Sequence, residues 1–231
     1  MPTEYLRAAK TRLIAYTLPF ILYLLSIQVC ASFSDHYVWL YPTSVLVVGT
    51  ITILLLRHQQ ILRPHRRMLA GVLVGLVGIV LWILLSSLRL EEQIGRFLPA
   101  WLYQERVGYN PFDNISHPFA RWAFIVVRFA GLALLVPVVE ELFWRGFLLR
   151  WLISADWERQ PLGSYSLTSF VGVTLLFTLA HPEWLAAAVY CSLLNGLMYW
   201  KRDLWVCIVA HSVSNLVLGI YVLATRTWML W

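Results

Sequence analysis

The chain has 231 residues, 60% of them hydrophobic and only 13% charged, with a formal net charge of +6 and a mean hydropathy of +0.69. Soluble domains run about 45–50% apolar and about 25% charged, so a water-soluble shell cannot be built from this composition, and disordered, collagen-like, coiled-coil and low-complexity classes are excluded with it. The expected fold is all-α: a polytopic membrane helix bundle of about seven or eight transmembrane helices, at about 20 apolar residues per span.

The basic N-terminal segment precedes an apolar run, Leu13–Phe33, too long for a signal-peptide core and read as a retained first span. A second span, Val38–Leu56, leads into the basic loop RHQQILRPHRR. The third, Met68–Leu88, carries Gly71, Gly75 and Gly78 at small-xxx-small spacing, which suits close helix packing. Residues 90–118 mix Glu91, Glu92, Arg96, Glu105, Arg106 and Asp113 with Trp101, Tyr103 and Tyr109, between Pro99, Pro111 and Pro118. That mixture fits an interfacial helix and loop. Phe119–Ile153 is longer than the hydrocarbon is thick at about 1.5 Å per residue, and Pro137 interrupts it, so a long kinked helix or two segments are expected. Three further runs follow: Leu167–Ala180, Trp184–Trp200 and Leu204–Ala224. The whole chain, 1–231, reads as one integral-membrane domain with a motif-bearing core at about 119–224.

Basic residues set the expected orientation. With seven spans and a cytoplasmic N-terminus, the inside carries Arg7, Lys10, Arg12, Arg57, Arg63, Arg66, Arg67, Arg150, Arg159, Lys201 and Arg202. The outside carries Arg89, Arg96, Arg106, Arg121 and Arg226. Eleven against five favours a multi-pass protein of the cell (inner) membrane with its N-terminus inside. The positive charge is thus assigned to cytoplasmic loops and no nucleic-acid partner is expected. Cys30, Cys191 and Cys207 sit in apolar runs without metal-ligand spacing and read as small packing residues.

Ten of the twelve acids fall in loops, tails or the interfacial segment; Glu140 and Glu141 do not. A charge near mid-bilayer costs about 2.5–3.5 kcal/mol unless it pairs, hydrates or works. Glu141 and Arg145 are i,i+4 with the acid first, the favourable order for a helical ion pair. Glu140 lies about 100° round the helix, outside that pair. Pro137 removes an N–H, which is expected to leave the carbonyl of Ala133 unpaired, and irregular backbone at this depth belongs beside protein or a wet cavity. His181 precedes Pro182 and so falls at a helix terminus, while His211 and Asn215 share one helix face at i,i+4. Alternative packing roles exist for each histidine alone. Thr174 and Asn195 read as helix-packing polar groups, and Arg128 as snorkelling or paired.

Together, a free glutamate, two histidines and a carboxamide suggest amide or ester hydrolysis within the membrane. Glu140 in apolar surroundings is a usable general base for a water held also by His181. His211 and Asn215 are candidate donors to the oxyanion of a tetrahedral intermediate. Equally, Glu140, His181 and His211 are acceptable ligands for a water-activating zinc ion. The spans contain no HExxH, no GxSG serine and no aspartate, which argues against the metallo-, serine and aspartyl classes of intramembrane protease. A proton-coupled transporter would use the same residues as a relay, although no inverted repeat appears. A non-catalytic membrane protein that keeps the constellation as packing is the other alternative.

The residues Glu140-Glu141-Leu142-Phe143-Trp144-Arg145, Phe177-Thr178-Leu179-Ala180-His181 and His211-Ser212-Val213-Ser214-Asn215 resemble, in order, the EExxxR, FxxxH and HxxxN motifs of the CPBP family. That family includes the CAAX prenyl endopeptidases and bacterial Abi proteins, some associated with bacteriocin immunity. The resemblance covers about Ala130 to Ile220. It implies a glutamate-dependent intramembrane endopeptidase without a cofactor, with zinc the runner-up, acting on a membrane-embedded or lipidated protein substrate. It assigns Glu140 as base, Glu141 and Arg145 as supporting pair, His181 as water-positioning residue, and His211 and Asn215 as oxyanion hole. His181-Pro182-Glu183-Trp184 makes a short turn after the second motif.

Overall fold

The computed structural model describes residues 2–57, 61–62, 64–97 and 108–231, with side chains from Ala9 onward. His58, Arg63, Pro99, Trp101, Tyr103, Glu105 and Arg106, and the side chain of Arg7, lie outside what is described. Among the described residues the fold is all-helical: α1 Pro2–Ser32, α2 Tyr37–Leu56, α3 Leu69–Ser86, α4 Leu90–Gly95, α5 Pro111–Asn114, α6 Pro118–Trp151, α7 Leu167–Leu179, α8 Trp184–Lys201 and α9 Leu204–Thr225. The long apolar tract is one continuous helix rather than two, and carries two π-helical stretches, Gly131–Leu135 and Leu142–Leu148.

Five segments are long and apolar enough to cross a membrane: Ala9–Ser32, Ser34–Leu56, Leu69–Ser86, Pro118–Trp151 and Leu204–Thr225. Seven or eight spans were expected, and among the described residues five are found by length and composition. α7 has 13 residues, about 20 Å of helix against a hydrocarbon core of about 30 Å. α8 has the length, but Tyr190, Ser192, Asn195 and a Tyr199-Trp200-Lys201 ending lower its hydropathy. Its buried face, from Ala186 to Met198, packs protein rather than lipid. The chain is a membrane protein with, among the described residues, five candidate spans and a shorter apolar helix.

The glycines of α3 let α9 approach to backbone contact. A Cβ on Gly71 would lie 2.6 Å from the carbonyl oxygen of Val206, and one on Gly75 would lie 2.5 Å from that of Ala210. Ser214 Oγ uses the approach to donate to Gly75 O at 2.8 Å. A Cβ on Gly78 would strike the ring of Tyr190 at 2.6 Å, so α8 closes on the same face. Aromatic packing holds α1 against α6: Phe20 stacks on Phe143 at 4.3 Å and meets Trp144 edge-on at 5.2 Å.

Polar contacts sort the loops into two ends. At one end Arg12 pairs with Glu158 at 2.7 Å, and His65 with Asp203 at 2.6 Å. Trp205 Nε1 donates to His65 O there, and Asp203 caps α9 by accepting from Trp205 N and Val206 N. At the other end Glu91 of the short α4 accepts from Leu185 N at 3.0 Å, at the start of α8. Glu91, grouped by sequence with the peripheral acids, is therefore a buried structural cap. Near that end too, Phe112 packs against Trp228.

Candidate active site

The two adjacent glutamates of α6 point in different directions, as their 100° offset requires. Glu141 is fully buried, and its Oε1 accepts from Arg145 Nη1 at 3.1 Å and from His211 Nδ1 at 2.8 Å. Arg145, also 0% exposed, spends its remaining N–H groups on α8: Nε donates to Asn195 Oδ1 at 3.2 Å, and Nη2 to Cys191 O at 3.2 Å and Cys191 Sγ at 3.3 Å. Its guanidinium lies over the ring of Phe177 of α7, 5.3 Å from the centroid. One arginine thus joins α6, α7 and α8, and the shared carboxylate adds α9. Asn195 and Cys191 were legible only as packing residues because nothing local ties them to position 145.

Glu140 belongs to a different environment. It is buried, and together with Trp144, His181, Tyr190, His211 and Asn215 it lines a cavity of about 840 Å³. Glu140 Oε2 and Trp144 Nε1 are both buried at the cavity wall, where the two side chains face each other. Glu141 and Arg145 do not line the cavity. The Glu141–Arg145 pair therefore stands behind the wall, and Glu140 stands in it.

His181 sits just past the end of α7, where Pro182 stops the helix. Its Nδ1–H donates back to Phe177 O at 2.8 Å, its ring stacks on Phe177 at 4.3 Å, and Trp82 meets it edge-on at 5.7 Å. The first residue of the FxxxH motif is in this way the platform for the last. In a neutral imidazole, that bond leaves Nε2 as the acceptor nitrogen. Tyr190 packs edge-on against both Trp82 and His211, at 5.8 Å each, and so spans the two histidines. Neither aromatic carried a signal in the sequence.

His211 and Asn215 each have one polar atom engaged within the bundle. His211 Nδ1 is held by Glu141, and Asn215 Nδ2 donates to Leu132 O at 2.8 Å. The backbone explains the second bond. In the π register of 131–135, Val136 N–H bonds to Gly131 O, five residues back rather than four. The next donor in that register, paired with Leu132, would be Pro137, which has no N–H. The orphaned carbonyl is thus that of Leu132, one residue before the Ala133 expected from an α register, and Asn215 satisfies it. One N–H of the Asn215 amide remains for other work.

Glu140, His181 and His211 do not form a metal-ligand set: among the described residues no group of three His, Cys, Asp or Glu side chains is placed to hold an ion.

These features define a class: a helical membrane bundle that buries ionised and neutral polar groups around an internal cavity, with the acid that faces the cavity backed by one that does not. Residues 121–217 match the family model described as type II CAAX prenyl endopeptidase, Rce1-like. That segment is therefore similar to a family of prenyl endopeptidases. No curated protein and no solved structure matches the chain.

Proposed function

We propose that the whole chain acts as a single membrane unit and is an intramembrane endopeptidase that cuts near the C-terminus or membrane segment of a protein substrate. The observation that carries this reading is the division of labour between neighbours, Glu140 lining the cavity and Glu141 locked behind it. Glu140 takes a proton from a water held also by the acceptor Nε2 of His181, and the water oxygen attacks the scissile carbonyl. The oxyanion receives the second N–H of Asn215, beside the His211 ring that Glu141 holds at Nδ1. Glu140 then returns the proton to the leaving amine, giving a carboxylic acid and an amine. Desolvation in the apolar bundle strengthens each of these electrostatic contacts.

Termini follow from the same picture. Counting α7 and α8 together as a pair, whether or not they cross, leaves the N- and C-termini on opposite faces. The basic end that joins Arg12 to Glu158 and His65 to Asp203 is the cytoplasmic one in this reading.

The test is turnover of an S-farnesylated CAAX-type peptide by the reconstituted protein. Glu140→Gln, with an unchanged melting curve in detergent, lowers kcat by at least about a hundredfold. Full turnover by a folded Glu140→Gln protein removes the assignment. Comparison of membrane-protein C-termini in cells with and without the gene identifies the natural substrate.

A further inference from the structure

The long α6 marks the bilayer at four places along its length. Trp122 and Trp151, both exposed, lie 29 residues apart, about 44 Å at 1.5 Å per residue. That is the depth of a whole bilayer with its headgroup layers, about 40–45 Å, at whose surfaces tryptophan collects. Arg128 and Arg150 lie 22 residues apart inside those marks, about 33 Å, close to the depth of the hydrocarbon alone. Arg150 is buried beneath the loop that follows α6, where its Nη1 donates to Gln160 O at 3.3 Å. Arg128 therefore stands at the edge of the hydrocarbon on the opposite face, where the phosphates of that leaflet begin.

The surroundings of Arg128 suit that depth. Three rings enclose the guanidinium: Tyr41 with its centroid 4.5 Å away, and Tyr37 and Trp231 at 5.8 Å. Arg128 Nη1 donates to the Tyr37 hydroxyl, and Tyr41 donates its own O–H to Arg128 O at 3.4 Å. These partners are neutral. No carboxylate pairs with Arg128 among the described residues, whereas Arg145 of the same helix has Glu141. Arg128 also lines the cavity that reaches Glu140. A cation in a membrane-spanning helix with no acid of its own marks a place for an anion from outside the chain. Tyr37, having accepted one N–H, keeps its O–H as a further donor to the same anion.

We propose that Arg128 and Tyr37 bind the phosphodiester of a glycerophospholipid from the leaflet opposite the Arg150 end, with the lipid's acyl chains along the cavity wall formed by α1 and α2. Charge favours the lipid over free phosphate. One guanidinium balances the single negative charge of a phosphodiester, and its fork matches two phosphate oxygens. A phosphate without two ester bonds carries about 1.5–2 negative charges at neutral pH and leaves part of that unmatched in apolar surroundings. The wall supplies a place for the chains: Leu24 and Ile27 of α1 line the cavity and are 44% and 46% exposed. The lining there is continuous with the lipid-facing surface, and Val45 and Val48 of α2 extend it. One headgroup thus joins α2, α6 and the C-terminal Trp231. The site is separate from the chemistry at Glu140 and stands whether or not the protein cuts peptides.

The test is binding of radiolabelled dioleoylphosphatidylglycerol to the whole protein, delipidated in maltoside detergent, in competition with unlabelled dioleoylphosphatidylglycerol, dioleoylglycerol or inorganic phosphate. Phosphatidylglycerol competes at least tenfold better than dioleoylglycerol, which has the same chains and no phosphate. Inorganic phosphate at the same concentration does not compete. Arg128→Gln removes the tenfold preference, Arg128→Lys restores part of it, and Tyr37→Phe, which keeps the ring, lowers it severalfold. Arg226→Gln, which removes an exposed charge from the same end of the bundle, leaves it unchanged. The comparison of the two lipids on the wild-type protein stands even where a variant fails to fold. Equal competition by the two lipids overturns the proposal. An equal loss in Arg226→Gln does so as well, since it reduces the effect to surface charge. Displacement by inorganic phosphate overturns it too and leaves a free-anion site at Arg128.

Discussion

One oxygen, Oε1 of Glu141, accepts from both Arg145 and His211, and much of the site's behaviour follows from that sharing. Removing the arginine leaves a fully buried carboxylate facing only an imidazole, and breaking a buried pair from one side costs about 3–5 kcal/mol. Arg145→Met is accordingly expected to lower the melting temperature sharply in detergent. Arg145→Lys rescues little of the loss, because a single ammonium cannot reach Glu141, Asn195 and the Cys191 carbonyl with fork geometry. The asymmetry between Glu140 and Glu141 was legible in the sequence because an i,i+4 ion pair is a local fact. The partners of His211 and Asn215 were not. Those bonds join residues 70 and 83 positions apart, and which face of α9 meets α6 is decided by helix packing that no local spacing records.

Among the elements, α6 is where local chemistry and packing conflict and then agree. Pro137 and the π register leave Leu132 O without a backbone donor, and Asn215 of α9 supplies one. Asn215→Ala removes that hydrogen bond and leaves a carbonyl unmet, at about 1–3 kcal/mol. In the proposed mechanism the same substitution also removes an oxyanion donor, so stability and kcat are expected to fall together. Pro137→Ala separates the two effects by returning a backbone N–H. In the double variant the stability loss shrinks while the kcat loss persists, as measured by paired melting and turnover. If kcat recovers with stability, Asn215 is a positioning residue only. The glycine seam gives a second contrast: Gly75→Ala places a Cβ 2.5 Å from Ala210 O, and Gly49→Ala meets nothing within 4 Å. Gly75→Ala should destabilise the protein and Gly49→Ala should leave the melting curve unmoved. The composition of α3 announced a close helix contact correctly, and the partner, α9, became visible only in three dimensions.

For the whole molecule, hydropathy was a sound guide to class, and five of the expected seven or eight spans have candidate helices among the described residues. α7 and α8 were read as crossings because they are apolar, yet one is short and the other turns its polar and small residues inward on the site. Helices that surround a buried polar network need less lipid-facing surface, and their sequences carry correspondingly less of the membrane signal. Arg128 was passed over for the same reason. A single arginine in an apolar run is ambiguous until the cavity beneath it is seen. The donor geometry also bears on the reaction as a whole: activity that survives exhaustive chelation is the expected result, and loss that added zinc restores would overturn the glutamate mechanism.

The local character of the Glu141–Arg145 pair has a consequence for biogenesis. A ribosome delivers α6 to the membrane before residues 191, 195, 211 and 215 have been translated, so none of the distant partners can help the segment leave the translocon. The i,i+4 pair needs nothing later in the chain: it neutralises two charges within a single turn of the helix that carries them. The pair therefore adds no net charge to the segment as it enters lipid, and the arrival of α8 and α9 then converts a provisional ion pair into the four-helix junction of the finished protein.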